Sequence, residues 1–179
     1  FGMVFPRTEV MSDLARLTMP EVHAEDDPDA ALMAWLDHEE AMFRRLERRI
    51  VSERLREGFM DGNETDVEGF LQFSLSVQNR RKSRMGHSLE HRLAAVLRAF
   101  NIQHARGVTT EHGHKPDFLF PGAEAYHAAP ATGAPGLMML GAKSSCKDRW
   151  RQVLAEASKI DRKHLLNLEP GISEPQTAQ

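Results

Sequence analysis

Apolar positions along the chain follow two periods, one up to about residue 100 and another after it. Leu32, Trp35, Leu36, Phe43, Leu46 and Ile50 recur at the spacing of one helical face. Asp27 followed by Pro28 supplies an N-cap and a first-turn proline, so a long amphipathic helix is expected to begin there. Its other face mixes Arg44, Arg45, Arg48 and Arg49 with Glu39, Glu40 and Glu47, the pattern of a solvated face with paired charges. Asp61-Gly62-Asn63 predicts a turn. Thr65 with Glu68 predicts a capping box opening a second helix that carries Val67, Phe70, Leu71 and Leu75. A third helix is expected from about Ser88, with Leu89, Leu93, Val96, Leu97 and Phe100 on one face, ending before Asn101 and Gly107.

Beyond residue 107 the pattern shortens. Val108 to Thr110 and Phe118 to Phe120 read as short strands, and Leu137 to Lys143 as a longer apolar one. Ala123 to Gly136, rich in small residues, reads as a loop. A helix bearing Trp150, Val153, Leu154, Ala157 and Ile160 follows, and His164 to Leu168 reads as a further strand closed by Pro170-Gly171. Helices first, then strands alternating with a helix, predict an α/β domain with a mixed central sheet flanked by helices and a helical N-terminal part. Residues 1–27 show little periodicity and read as an arm or loose segment, leaving 28–179 as the domain proper.

Composition narrows the class. With 179 residues, 41% hydrophobic and 27% charged, the chain suits one domain with a full core. No apolar run is long enough to span a bilayer, and the start lacks the order of a signal peptide. The single Cys146 cannot form an internal disulfide, which suits a soluble, cytoplasmic protein. Phe1 is not an initiator methionine, so the chain reads as an excised or partly ordered piece of something longer, with room for a neighbouring domain. A net charge of −3 argues against a coat for nucleic acid. Two local basic clusters, Arg80, Arg81, Lys82 and Arg84, and Lys143, Lys147, Arg149 and Arg151, suit either a DNA cleft or solvated helix ends.

Three positions stand out chemically: Pro116-Asp117 at the start of one strand, Lys143 near the end of the next, and Glu156 in the helix after it. Phosphodiester cleavage needs such groups. Carboxylates hold Mg²⁺, which prefers oxygen ligands and helps ionise an attacking water, and a lysine can orient that water or steady charge on the phosphate. Each residue also has an ordinary explanation: Asp117 as a strand-edge turn, Glu156 as a solvated helix residue. His112, His114 and His127 flank the Asp117 loop without a cysteine partner or a helical zinc-binding spacing, and read as loop histidines before they read as metal ligands. Cys146 lacks the surroundings of a nucleophile.

Pro116-Asp117 with Lys143 a strand later resembles the PD-(D/E)XK nuclease signature, in which an acid stands two residues before the lysine. Here that place holds Gly141. The departure resembles a variant of the EcoRII, SsoII and NgoMIV group, in which the second acid is displaced onto the following helix; Glu156 stands thirteen residues beyond Lys143, at the displaced position. Similarity to the C-terminal catalytic domain of EcoRII-type enzymes runs from about Ala31 to Ser173. It includes Phe43 to Arg48, Ser74 to Arg84, Lys115 to Pro121, Lys143 to Ala157 and Lys163 to Ser173.

The resemblance implies a restriction-endonuclease-like core and a Mg²⁺-dependent type II endonuclease acting on double-stranded DNA at a CCWGG- or CCNGG-like site. It implies Asp117 and Glu156 as metal ligands, Lys143 as the catalytic lysine, Glu90 as a further acid and Tyr126 as a tyrosine near the centre. Lys147-Asp148-Arg149 falls where the group reads its outer C·G pairs. The chemistry agrees, since Lys and Arg donate to guanine O6 and N7 and Asp accepts from cytosine N4. Gln78 matches a minor-groove contact. A homodimer on a twofold site and a companion cytosine methyltransferase are implied as partners. The rival readings are a repair or recombination nuclease of the same fold and a DNA-binding module that does not cut.

Overall fold

A computed structural model describes residues 4–130, 135–145 and 150–168. They divide into two units, Phe1–Arg92 and Leu93–Gln179. Among the described residues no helix is long and apolar enough to cross a membrane.

In the first unit the expected arm contains helix α1, Thr8–Leu17, which packs on α2 and buries Met11, Ser12 and Ala15. Helix α2, Pro28–Glu57, starts where the sequence predicts: the Asp27 carboxylate accepts from the Ala30 amide at 2.9 Å. Strands β1 (Met60–Asp61) and β2 (Glu64–Thr65) form a small antiparallel hairpin across the expected turn. Helix α3, Val67–Ala99, then runs unbroken through the segment where two helices were expected. Its cap is Asp66 rather than Thr65: the Asp66 carboxylate takes the Gly69 amide at 2.8 Å.

The charged face of α2 is not wholly solvated. Glu39 is fully buried and accepts from Ser12 and Ser88 hydroxyls at 2.8 and 2.7 Å and from Arg84 and Arg92 at 2.8 and 2.7 Å. Glu47, 4% exposed, takes a forked pair from Arg81, with three N–O distances between 2.6 and 2.9 Å. A carboxylate out of water needs such charge-assisted partners, and here they come from α1 and α3.

The second unit opens with the last turns of α3, where Leu93 to Leu97 are buried. Asn101, at φ 54°, ends the helix, and the Ile102 amide reaches back to the Leu97 carbonyl at 2.9 Å, the closure expected of a left-handed C-terminal residue. Strands β3 (Phe118–Phe120), β4 (Met138–Lys143) and β5 (Lys163–Asn167) form a mixed sheet in that order, β3 antiparallel and β5 parallel to β4. Val108 to Thr110 is not a strand; the Thr110 amide bonds the His114 carbonyl at 2.8 Å and closes a turn instead. Within the expected loop lies a short helix α4, Ala123–Ala128. Helix α5, Trp150–Ala155, is shorter than the periodicity suggests. Leu119, Tyr126, Met139, Val153, Ala157 and Ile160 form the core of this unit.

Candidate active site

Asp117 immediately precedes β3, and Lys143 is the last residue of β4. Because Phe118 pairs with Leu140, the antiparallel register carries Asp117 to the Lys143 end of β4. There its Oδ2 accepts from the Ala142 amide and from Lys143 Nζ, both at 2.7 Å. The two side chains are 13% and 16% exposed, so the pair is sheltered yet reachable.

The position of the usual second acid, Gly141, has no room for a side chain. A Cβ built on it would lie 2.9 and 3.2 Å from the two methyl carbons of Val153, on α5. Those methyls are fixed to a β-branched residue and cannot swing aside. The space a side chain would need at the usual acidic position is filled by the helix.

Glu156 is the acid nominated for the displaced position. It stands one residue past the end of α5 rather than inside the helix, is 3% exposed, and its Oε2 has no hydrogen-bond partner. Burial pushes its carboxyl above the usual range. The neighbouring Asp117 charge adds to the rise, while Lys143, His114 and Lys163 oppose it. An orphaned, buried carboxylate oxygen within the field of a second carboxylate suits a hard divalent cation, which would relieve both. Among the described residues no third His, Cys, Asp or Glu completes a protein-only metal cage. Mg²⁺ does not need one, since it keeps waters and takes phosphate oxygens.

Tyr126 lies in the core, 1% exposed, and its hydroxyl donates to Glu111 at 2.5 Å. Burial and that bond push it up to about 12, so it stays a neutral donor. Lys159 caps the end of α4, donating to the carbonyls of Tyr126, His127 and Ala129 at 3.0–3.1 Å. Tyr126 thus braces the Glu111 turn from within the core. Two contributors escaped the sequence reading. Glu111 carried no motif, and Lys163, half-buried, was named only within a stretch of family resemblance; partial burial pushes its ammonium below the usual range, and the charges of Glu156 and Asp161 oppose that.

The family described as "EcoRII C terminal" matches residues 43–179. This chain belongs to that family. It is also 42% identical over 148 residues to the type II restriction enzyme EcoRII of Escherichia coli, which covers 82% of this chain and 35% of EcoRII. The chain therefore spans about a third of that relative's length. Two solved structures share the fold. The restriction endonuclease PspGI in complex with substrate DNA matches with a TM-score of 0.75 at 16% identity, covering 97% of this chain and 72% of that one. Metal-depleted Ecl18kI in complex with uncleaved, modified DNA matches with a TM-score of 0.78 at 18% identity, covering 97% and 66%.

The remaining positions that EcoRII C-terminal resemblance nominates lie apart from this trio in the chain. Gln78 and Glu90 belong to α3 in the first unit; Gln78 is exposed, and Glu90 is half-buried with its carboxylate 3.9 Å from His87 Nδ1. Lys147, Asp148 and Arg149 lie outside the described residues, as does Cys146. The basic cluster of α3 is only partly available to a polyanion. Arg81 is engaged by Glu47, Arg84 is 6% exposed and held by Glu39 and Glu40, and Arg80 lies over the Phe5 ring at 4.6 Å.

Proposed function

We propose that this chain is the catalytic domain of a type II restriction endonuclease hydrolysing phosphodiester bonds of double-stranded DNA at a CCWGG- or CCNGG-like site. The observation that carries the reading is the Asp117–Lys143 pair at one end of β4, with the buried Glu156 close enough to feel both charges. Family membership and the DNA-bound state of both structural relatives support it.

Asp117 and Glu156 would hold Mg²⁺, which supplies charge neutralisation at the phosphate and a lowered pKa for its water. Lys143 donates a proton-bearing, positively charged Nζ at the same place. Held by Asp117 in the free protein, it can turn towards a non-bridging phosphate oxygen or orient the attacking water. Burial of Glu156 keeps that end of the site poor in water, so charge interactions there are strong. Glu90 is proposed as a further acid. Lys147, Asp148 and Arg149 are proposed as major-groove readers of C·G pairs, and Gln78 as a minor-groove contact. Tyr126 enters through its support of Glu111. A cytoplasmic homodimer, matched to a twofold site and protected in its host by a cytosine methyltransferase, completes the reading.

Digestion of unmethylated phage DNA with Mg²⁺ or with EDTA, followed by end-sequencing, tests it. Discrete metal-dependent ends inside CCWGG or CCNGG are expected. Cleavage without sequence preference would favour a repair nuclease, and site-specific binding without cutting would favour a DNA-binding module.

A further inference from the structure

An acid two residues before the lysine is placed by the strand that carries both. Glu156 has no such support: it follows the last residue of a six-residue helix and belongs to no strand. Something else must hold it, because a metal ligand displaced by an ångström loses much of its affinity.

The segment around Glu156 is gripped on both sides by one short turn, Glu111–Gly113, and the residue after it, His114. On the near side His114 Nδ1 lies 2.9 Å from the carbonyl oxygen of Ala155, adjacent to Glu156, and donates to it. On the far side Ser158, two residues beyond Glu156, is close enough to the Glu111 carboxylate to help hold it below its usual range. Between them Ala157 adopts φ 50°, a left-handed conformation that a non-glycine residue keeps only when its surroundings impose it. The turn is itself tied down. The Thr110 amide and hydroxyl bond the His114 carbonyl at 2.8 and 3.2 Å, the His114 amide bonds the Glu111 carbonyl at 3.2 Å, and Tyr126 donates to Glu111. Burial acts to raise the Glu111 carboxyl, but the bonds from Tyr126, its own backbone and Ser158, with the Lys159 charge, outweigh it and hold the group ionised below its usual range. Three residues after His114 the chain reaches Asp117.

We propose that Glu111 and His114 are positioning residues: the turn that leads into Asp117 brackets Ala155 and Ser158 and so sets where Glu156 stands relative to Asp117. The bracket does for the displaced acid what the strand does in the ordinary signature. It rests on the reading of Asp117 and Glu156 as metal ligands given above.

The test measures Mn²⁺ binding by electron paramagnetic resonance, using the whole chain on a short CCWGG duplex with an uncleavable phosphate analogue. The Mg²⁺ dependence of cleavage is followed separately on the unmodified duplex. His114→Ala is expected to weaken Mn²⁺ binding by about 10–100-fold and to raise the Mg²⁺ needed for half-maximal rate in parallel, with metal-free duplex affinity unchanged. His114→Asn, whose amide can donate from the Nδ1 position, should recover most of the loss, while His114→Leu, which fills space without donating, should not. Ser158→Ala opens the other end of the bracket and should weaken Mn²⁺ binding severalfold; it is the independent variant if His114→Ala does not fold. Unchanged Mn²⁺ binding in the folded variants, or equal losses in His114→Asn and His114→Leu, overturns the bracket. If Asp117→Ala and Glu156→Ala lose Mn²⁺ binding while His114→Ala and Ser158→Ala keep it, the bracket alone is wrong. If Asp117→Ala and Glu156→Ala also keep it, the metal-site reading falls and takes the bracket with it.

Discussion

Lys143 Nζ and Asp117 Oδ2 stand 2.7 Å apart, and the same oxygen accepts the Ala142 amide. One carboxylate oxygen thus ties the Lys143 side chain to the strand that carries it. In the free protein the pair satisfies both charges in a partly buried place, where either alone would be costly.

Lys143→Ala removes the cation that would meet the phosphate and leaves Asp117 its backbone donor. Cleavage is expected to fall by about 100–1000-fold or more, with specific binding of metal-free duplex retained. Single-turnover cleavage beside a gel-shift titration measures both; a variant that cuts at the parent rate removes Lys143 from the catalytic role.

Gly141→Ala places a methyl 2.9 Å from a Val153 methyl carbon, so α5 must move off β4. A loss of about 1–3 kcal/mol in urea unfolding is expected from overpacking of this kind. For the same reason Gly141→Asp should not restore cleavage to Glu156→Ala, although it recreates the usual spacing. Recovery of cleavage in that double variant would contradict the steric account.

Glu39→Ala strips a buried carboxylate from two guanidinium groups that are themselves buried. About 3–5 kcal/mol of stability should be lost, since Arg92 loses its counter-charge away from water and Arg84 keeps only its bond to Glu40. Glu53→Ala breaks only a surface pair with Arg56 and should stay within about 0.5 kcal/mol. Equal denaturation midpoints for the two variants would show that the Glu39 network adds nothing.

Glu156 is raised by burial, so the native state holds its proton more tightly than the unfolded chain does. Its contribution to stability is therefore fullest at acidic pH and declines as pH rises from the ordinary carboxylate value through the raised one. Without metal, Glu156→Gln should be more stable than the parent at neutral pH and converge with it in acid. Thermal melting across that range reads the difference, and added Mg²⁺ should stabilise the parent only. A Glu156→Gln variant less stable than the parent at neutral pH would contradict the burial cost.

Local chemistry wrote several elements directly into the chain. Asp27 and Pro28 marked the start of α2, Asn101 the end of α3, and the apolar run after Leu137 marked β4. The nomination of Asp117, Lys143 and Glu156 depended on residue type and spacing, which survive in one dimension. What escaped was settled by residues far apart in sequence. The basic segment of α3 looked like a break between helices, but Glu47 and Glu39 on α2 take Arg81 and Arg84 and the helix runs on. The same pairing buried a face that periodicity assigned to solvent. The six-residue α4 was too short to show a period, and Val108 to Thr110, though β-branched, bonded a nearby turn instead of a strand.

By itself, then, the sequence determined the start of α2, the end of α3, the strand β4 and the family, and it nominated Asp117, Lys143 and Glu156. Capping, periodicity and motif spacing act over a few residues and need no partner. Only the tertiary structure decided that Gly141 faces a wall of valine, that Glu156 is an orphaned buried acid beyond a helix end, and that the turn before Asp117 grips its flanks. Those facts depend on desolvation and on hydrogen bonds between segments as much as 41 residues apart, and both exist only once the chain is folded.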